Sequence, residues 1–117
     1  MAKRFGAMLD MSRNGVMKPE QVKTFAHTLK TFGYNMLQLY MEDTYEIPGE
    51  PYFGYMRGRY TQEELKDIVS HCESMGVEVI PCIQTLAHLK TIFHWNVYAE
   101  IRDIDDILLA EEERTYI

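Results

Sequence analysis

The sequence predicts an α/β domain built on parallel strands that helices connect. Three segments, 5–11, 35–44 and 77–83, are predicted to be strands, and the two stretches between them have helical periodicity. A helix, a glycine and a strand follow one another twice, with Gly33 and Gly76 in equivalent places. Each connection is long enough for a right-handed crossover between parallel strands. The β-α-β-α-β order fits either a small doubly wound sheet or the opening of a (β/α)8 barrel.

The first strand and the first helix have clear local signals. Residues 5–11 form a nearly continuous apolar run, which is typical of a strand covered on both faces. The helix is predicted to begin at Pro19, which suits the first helical position, and to end at Gly33, which suits a left-handed stop. Its apolar stripe consists of Val22, Phe25, Ala26, Leu29 and Phe32.

The second strand, residues 35–44, carries two adjacent carboxylates at its C-terminal end, Glu42 and Asp43. Active sites of parallel α/β folds gather at that end of the sheet, because the βα loops converge there. An adjacent Glu-Asp pair is also common in ordinary loops. Position alone therefore leaves a catalytic and a structural interpretation open.

A long aromatic loop follows the second strand, from Tyr45 to Tyr60. Loops of this length in compact domains are usually functional or disordered. Five aromatic residues argue against a plain disordered linker. The rings can stack on sugar rings as a carbohydrate subsite, or they can pack against one another as a plug.

The second helix is predicted to open with a capping box, Thr61-Gln62-Glu63-Glu64, and to end at Gly76. The third strand, residues 77–83, contains Pro81. Proline removes one ladder donor, so we expect Pro81 at a bulge or near the end of its strand.

The residues after the third strand are harder to assign. The apolar residues between Ile92 and Ile101 fit neither a clean helix nor a clean strand. Residues 111–117 resemble the first turns of a third helix with acids at its N-terminus and no stop signal. We therefore expect the chain to be truncated relative to its fold.

Composition argues against several classes of function. With 12 basic and 18 acidic residues, the net charge is −6, which disfavours nucleic-acid and anionic-membrane partners. No apolar run approaches the roughly 20 residues of a membrane span. The basic residues 1–4 are not followed by the apolar segment of a signal peptide, which favours a cytoplasmic location. Cys72 and Cys82 have no metal-ligand spacing and are expected to be free thiols. No metal and no cofactor are expected.

Four segments, in order and at compatible spacing, resemble glycoside hydrolase family 20, the β-N-acetylhexosaminidases. They are Met8–Asn14, the second strand with Asp43 at its end, Tyr60–Val69, and Gly76–Pro81 followed by His88. The ordered set covers nearly the whole chain. The segment Ile83–His88 and the aromatic loop are most similar to the streptococcal-type exo-N-acetylglucosaminidases of that family.

The resemblance implies a TIM (β/α)8 barrel, of which residues 1–117 would be the first three βα units, an N-terminal fragment of the catalytic domain. It implies removal of terminal β-linked N-acetylglucosamine from glycans, with retention, by attack of the substrate's own acetamido oxygen. The family's catalytic Asp-Glu pair at the end of strand four is missing here. We therefore expect an inactive fragment that self-associates through its unclosed sheet. The alternative is a self-contained small α/β binding or scaffold domain without catalysis.

The resemblance also implies roles for three residues. Arg13 would bind the O3 and O4 hydroxyls of the terminal sugar, because its planar fork of donors suits two vicinal hydroxyls. Asp43 and His88 would lie beside the general acid and support it by hydrogen bonding and charge. The family's His-x-His is Gln38-Leu39-Tyr40 here, and its Pro-Gly-His is Leu86-Ala87-His88. These departures concern the sugar subsite and not the barrel.

Overall fold

The structure is a computed structural model that describes residues 3–116. One parallel sheet has the strand order β1-β2-β3, with β1 at Gly6–Asp10, β2 at Met36–Glu42 and β3 at Glu78–Ile83. The connections are the helices α1 (Pro19–Thr31) and α2 (Gln62–Ser74). Three 3₁₀ helices follow β3, at Ile92–His94, Asn96–Ile101 and Glu113–Tyr116. The predicted β-α-β-α-β order is confirmed.

Both helices begin and end where the sequence predicts. Pro19 occupies the first turn of α1, and Gly33 follows that helix with a φ of 83°. At the start of α2, the Thr61 hydroxyl accepts the Glu64 N–H at 3.1 Å, and the Glu64 carboxylate accepts the Thr61 N–H at 2.8 Å. This reciprocal capping box satisfies two amides that have no partner within the helix.

The main core lies between the sheet and the two helices. Alternate residues of β2, namely Leu37, Leu39 and Met41, are buried. They pack with buried side chains of the two helices: Val22, Ala26, Leu29, Ile68 and Cys72. A single layer of helices therefore covers one face of the sheet, as right-handed crossovers between neighbouring parallel strands require.

Neither helix covers the other face of the sheet, here called the open face. The register places these residues on it: Gly6, Met8, Asp10, Met36, Gln38, Tyr40, Glu78, Ile80 and Cys82. The expectation that β1 is covered on both faces is wrong, since Met8 is 56% exposed. The apolar run of β1 cannot by itself distinguish a strand buried on both faces from one with an uncovered face.

The third strand carries two features noted in the sequence. Pro81 lies opposite Leu39 within the ladder rather than at its end, and β3 is an edge strand of the described sheet, where a missing donor is tolerated. The register shifts one step later, between Tyr40 and Glu42. Both thiols are free: Cys72 is buried on the core-facing side of α2, and Cys82 is partly exposed on the open face.

The residues after β3 form a second apolar cluster with the aromatic loop. Its buried members are Phe53, Leu89, Ile92, Tyr98, Ile101 and Leu108. The predicted third helix over 111–117 is wrong for the described residues, which form only the 3₁₀ helix Glu113–Tyr116. Arg114 instead bonds Glu50 at 2.9 and 2.6 Å and the Val97 carbonyl at 2.8 Å, so long-range contacts decide this segment. Ile117 lies outside the described residues, among which no helix has the length and apolarity to cross a membrane.

Candidate active site at the carboxyl ends of the strands

Polar side chains from all three strand ends form one connected chain of contacts. Its members are Asp10, Ser12, Arg13, Tyr40, Glu42, Asp43, Arg57 and Gln84. Parallel strands bring their carboxyl ends to the same edge of a sheet, which is why residues far apart in sequence meet here.

Arg13 stands at one end of this chain. Its Nη1 lies 2.5 Å from Asp10 Oδ2, and its guanidinium carbon lies 5.0 Å from the centre of the Tyr40 ring. Asp10 also accepts the Ser12 N–H at 2.9 Å, and this bond and the Arg13 guanidinium lower the pKa of the Asp10 carboxyl. The Arg13 side chain is 61% exposed, so a fork fixed on one side presents donors to solvent.

Glu42 lies in the middle of this chain of contacts. Its carboxylate accepts the Ser12 hydroxyl at 2.5 Å and the Tyr40 hydroxyl at 2.9 Å. The Tyr40 oxygen in turn accepts the Gln84 amide at 2.8 Å, which connects β2 to the end of β3. Glu42 has a φ of 48°, a conformation that L-residues rarely adopt. Such backbone strain concentrates at functional positions, where the surrounding contacts hold it in place.

Asp43 is the most deeply buried acid of the site, at 1% exposure. Arg57 Nη2 lies 3.2 Å from Asp43 Oδ1, and the same nitrogen donates to the Ser12 hydroxyl at 2.7 Å and to its carbonyl at 3.0 Å. Burial raises the pKa of the Asp43 carboxyl, and the Arg57 charge opposes that rise. Within the described residues Oδ1 accepts no hydrogen bond, so its contact with Arg57 is ionic.

Of the three residues with predicted roles, two belong to the chain of contacts at the strand ends and one does not. Arg13 and Asp43 lie on the same edge of the sheet. The contacts that connect them run through Tyr40, Glu42, Ser12 and Arg57. His88 is exposed with a φ of 64°, and its backbone N–H donates to Asp106 at 3.1 Å. Among the described residues no hydrogen bond or ion pair joins its imidazole to Asp43. The proposed support of one catalytic acid by both residues stays a prediction.

The polypeptide also matches a known family. The model of the family described as glycosyl hydrolase family 20, catalytic domain, matches residues 4–112. This chain belongs to glycosyl hydrolase family 20. The resemblance drawn from the four sequence segments is therefore confirmed.

Relatives in family 20 are consistently longer than this chain. A β-hexosaminidase of Akkermansia muciniphila is 27% identical, over 74% of this chain and 21% of that protein. The N-acetyl-β-hexosaminidase of Streptomyces plicatus, solved with thio-NAglucal, is 25% identical with a TM-score of 0.77, over 95% of this chain and 27% of that one. The exo-β-N-acetylglucosaminidase of Vibrio harveyi, solved with N-acetylglucosamine, is 21% identical with a TM-score of 0.80, over 97% and 23%. The chain thus spans about a quarter or less of these relatives, and its fold is that of the corresponding part of the family 20 catalytic domain.

Sequence reasoning missed Arg57, Ser12 and Gln84 as members of the site. Ser12 was inside the quoted family 20 motif but had no assigned role. Arg57 lies in the aromatic loop, where it is one of two basic residues, and that contrast was the available signal. The loop returns Arg57 to the strand end because Gly54, with a φ of 65°, allows close approach to Asp43: a Cβ atom there would collide with the Asp43 carbonyl oxygen.

The aromatic loop itself divides into a buried and an exposed part. Tyr60 is buried, and its hydroxyl donates to the Met17 carbonyl; Tyr45 and Phe53 pack edge to face at 5.0 Å. In contrast, Tyr52 and Tyr55 are exposed and contact the Trp95 ring at 5.5 and 5.2 Å. The plug interpretation holds for the first group, and the carbohydrate interpretation remains a prediction for the second.

The described residues offer no site at which three or more protein ligands would hold a metal ion. They contain no group of three or more histidine, cysteine or carboxylate side chains placed to hold an ion. In the strand-end site Glu42 already accepts from Ser12 and Tyr40. Asp10 accepts from Arg13, and Asp43 is paired ionically with Arg57. The arrangement is suited to binding hydroxyl-rich ligands, because it combines an exposed arginine fork, an aromatic ring and ordered carboxylates.

Proposed function

We propose that this chain is the first three βα units of the catalytic barrel of a family 20 glycosidase that removes terminal β-linked N-acetylglucosamine. The carrying observation is the strand-end chain of contacts, which orients an exposed Arg13 beside Tyr40 and a buried Asp43 beside Arg57. Three parallel strands with helices on one face are consistent with part of such a barrel. The A. muciniphila relative is a β-hexosaminidase, which gives the expected reaction class.

In this proposal Arg13 binds the terminal sugar. Asp10 fixes one side of the guanidinium, so the remaining N–H groups are preorganised and little side-chain entropy is lost when two vicinal hydroxyls bind. The Tyr40 ring beneath the guanidinium restricts it further. Asp43, whose pKa is raised by burial, is suited to share a proton with a neighbouring catalytic acid supplied by the rest of the barrel.

The proposal includes a substrate-assisted, retaining mechanism, in which the acetamido oxygen of the substrate attacks the anomeric carbon. Family 20 enzymes orient that acetamido group with an adjacent Asp-Glu pair, and the 117 residues contain no Asp-Glu dipeptide. We therefore expect these residues alone to bind sugar weakly and to hydrolyse none. A chromogenic N-acetyl-β-glucosaminide should give no rate above buffer, and a rate that Asp43→Asn abolishes would contradict the assignment.

Binding can be tested directly by NMR titration of the ¹⁵N-labelled chain with N-acetylglucosamine. We expect saturable shifts at the strand ends, and we expect Arg13→Ala to abolish them. Arg4→Ala is the matched control, since Arg4 is an exposed arginine paired to Glu78 at 3.3 Å at the opposite end of the sheet. Equal effects of both substitutions, or no saturable shift, would refute a sugar site at Arg13.

The barrel assignment has its own test, which is the gene beyond the codon for Ile117. The proposal expects an open frame that soon encodes a strand ending in Asp-Glu. A stop codon at that point would favour the alternative, a self-contained binding or scaffold domain.

A further inference from the structure

Two histidines face each other on the solvent side of the helix pair, far from the strand-end chain in the fold. His27 lies on α1 and is exposed; His71 lies on α2 and is partly exposed. Their Nε2 atoms are 3.1 Å apart, with ring centres at 5.1 Å and ring planes inclined at 70°. Nitrogen atoms, rather than ring faces, therefore point toward each other.

This spacing suits a shared metal ion. Two imidazole nitrogens that each lie about 2.0–2.1 Å from one ion are roughly 3 Å apart when the angle at the metal is near 100°. The neutral imidazole is also the commonest protein ligand for such ions. Without an ion, the same contact requires one Nε2–H group to donate to the other Nε2 atom, which must carry no hydrogen.

The backbone under both histidines is well fixed. Ala26, next to His27, and Cys72, next to His71, are both fully buried in the main core. One helical turn earlier, Lys23 of α1 forms ion pairs with Asp67 of α2 and, at 3.1 Å, with Glu20. The Lys23–Asp67 ion pair holds α1 and α2 at the separation that the two histidines need to share an ion. A preorganised pair of ligands binds more tightly than two flexible ones, because less freedom is lost on binding.

We propose that His27 and His71 form a bidentate site for one first-row transition-metal ion of the imidazole-preferring class, Cu²⁺ or Zn²⁺, with water as the remaining ligands. Cu²⁺ binds more tightly than Zn²⁺ at such sites, following the usual order of divalent affinities. Mg²⁺ and Ca²⁺ are excluded by their preference for oxygen ligands. The site clamps α1 to α2 on the outer surface and is independent of the proposed glycosidase reaction.

The test is isothermal titration of the untagged chain with Cu²⁺ alone, in a buffer that does not bind copper. We expect one ion per chain, with affinity lowered at least about tenfold by His27→Ala or His71→Ala, because each change converts a bidentate site to a single ligand. His94→Ala is the matched control, since His94 is exposed and its ring packs edge to face against Trp95, away from α1 and α2 in the sequence. It should bind copper as the parent does.

A second measurement guards against misfolded variants. Cu²⁺ should raise the thermal unfolding midpoint of the parent and of His94→Ala. It should not raise that of the double variant His27→Gln, His71→Gln. Without metal, all three should melt cooperatively. Equal copper affinity in the parent and the double variant, or equal loss in the His94 control, would overturn the site.

Discussion

The candidate site depends on a few side chains that pair across the ends of three strands. Asp43 is buried with one cation beside it, and Arg57 connects Asp43 to Ser12. A buried carboxylate without its partner would be costly, since its desolvation is no longer offset. The two residues should therefore respond strongly, and in different ways, to substitution and to pH.

Arg57→Met should destabilise the fold by about 2 kcal/mol. Breaking a fully buried pair costs about 3–5 kcal/mol, and Arg57 is 27% exposed, so solvent screening reduces the loss. The free energy of unfolding from urea titration measures it, with the exposed Arg4→Met as the control. A loss no greater than that of the control would show that the contact contributes nothing.

Asp43→Asn should gain stability relative to the parent as pH rises from about 4 to 7. The pKa of Asp43 is raised above its ordinary value of 3.8, chiefly by burial, so the folded state holds this proton more tightly than the unfolded state. Its contribution to stability is complete below pH 3.8 and is lost as pH rises through the folded pKa. Asparagine does not titrate and keeps its contribution. Urea titrations of both proteins across that range measure the difference, and a difference that is constant with pH would refute the raised pKa.

The two carboxylates at the end of β2 could be predicted from the sequence, because strand position and the direction of parallel sheets are local signals. The charge of Arg57 distinguishes it within the aromatic loop, but its place in the site could not be predicted, because it reaches the strand ends only through the path of that loop. That path depends on a close approach at Gly54, and it leaves no periodic pattern in the sequence. The position of His88 could not be predicted either, because His88 lies in a loop and its backbone N–H is held by Asp106.

At the scale of elements, the helices follow local rules and the remaining segments follow tertiary contacts. Pro19 marks the start of α1, a capping box marks the start of α2, and a glycine follows each helix; the structure reproduces all of these signals. The uncovered face of β1 and the 3₁₀ helix at Glu113–Tyr116 were not predicted. Whether a second layer covers a strand, or an arginine reaches a distant glutamate, depends on the rest of the fold and not on the segment itself.

Thr61→Ala should destabilise the protein by about 1 kcal/mol, because it leaves the Glu64 N–H of α2 without its side-chain acceptor. Thr61→Ser keeps the hydroxyl and should retain most of the stability. Urea unfolding of the three proteins measures the effect. An alanine variant as stable as the parent would mean that water replaces the cap without cost.

At the scale of the whole molecule, one face of the sheet is covered and the other is open. The open face carries Met8, Ile80 and Cys82 among polar residues, and Phe5 and Ile83 are exposed beside it. Both outer strands of the described sheet also have an unpaired edge. Apolar surface and free strand edges favour association.

We expect the chain to form dimers or larger assemblies through the open face. Met8→Lys places a charge in its middle and should shift the population toward monomer in light scattering at tens of micromolar protein. Phe32→Lys is a matched control, because Phe32 is exposed but lies at the C-terminus of α1, away from that face. A monomeric parent, or equal dissociation by both substitutions, would contradict this prediction.

The two thiols give the molecule a pair of natural chemical reporters. Cys82 lies on the open face, and Cys72 of α2 points into the core, where burial also raises the pKa of its thiol. An alkylating reagent should therefore modify Cys82 in the native chain and reach Cys72 only when the whole fold opens. The labelling rate of the first residue reports whether anything occupies the open face, while the second records how often the protein unfolds. Both labelling rates can be measured by mass spectrometry in the same sample, without any substitution.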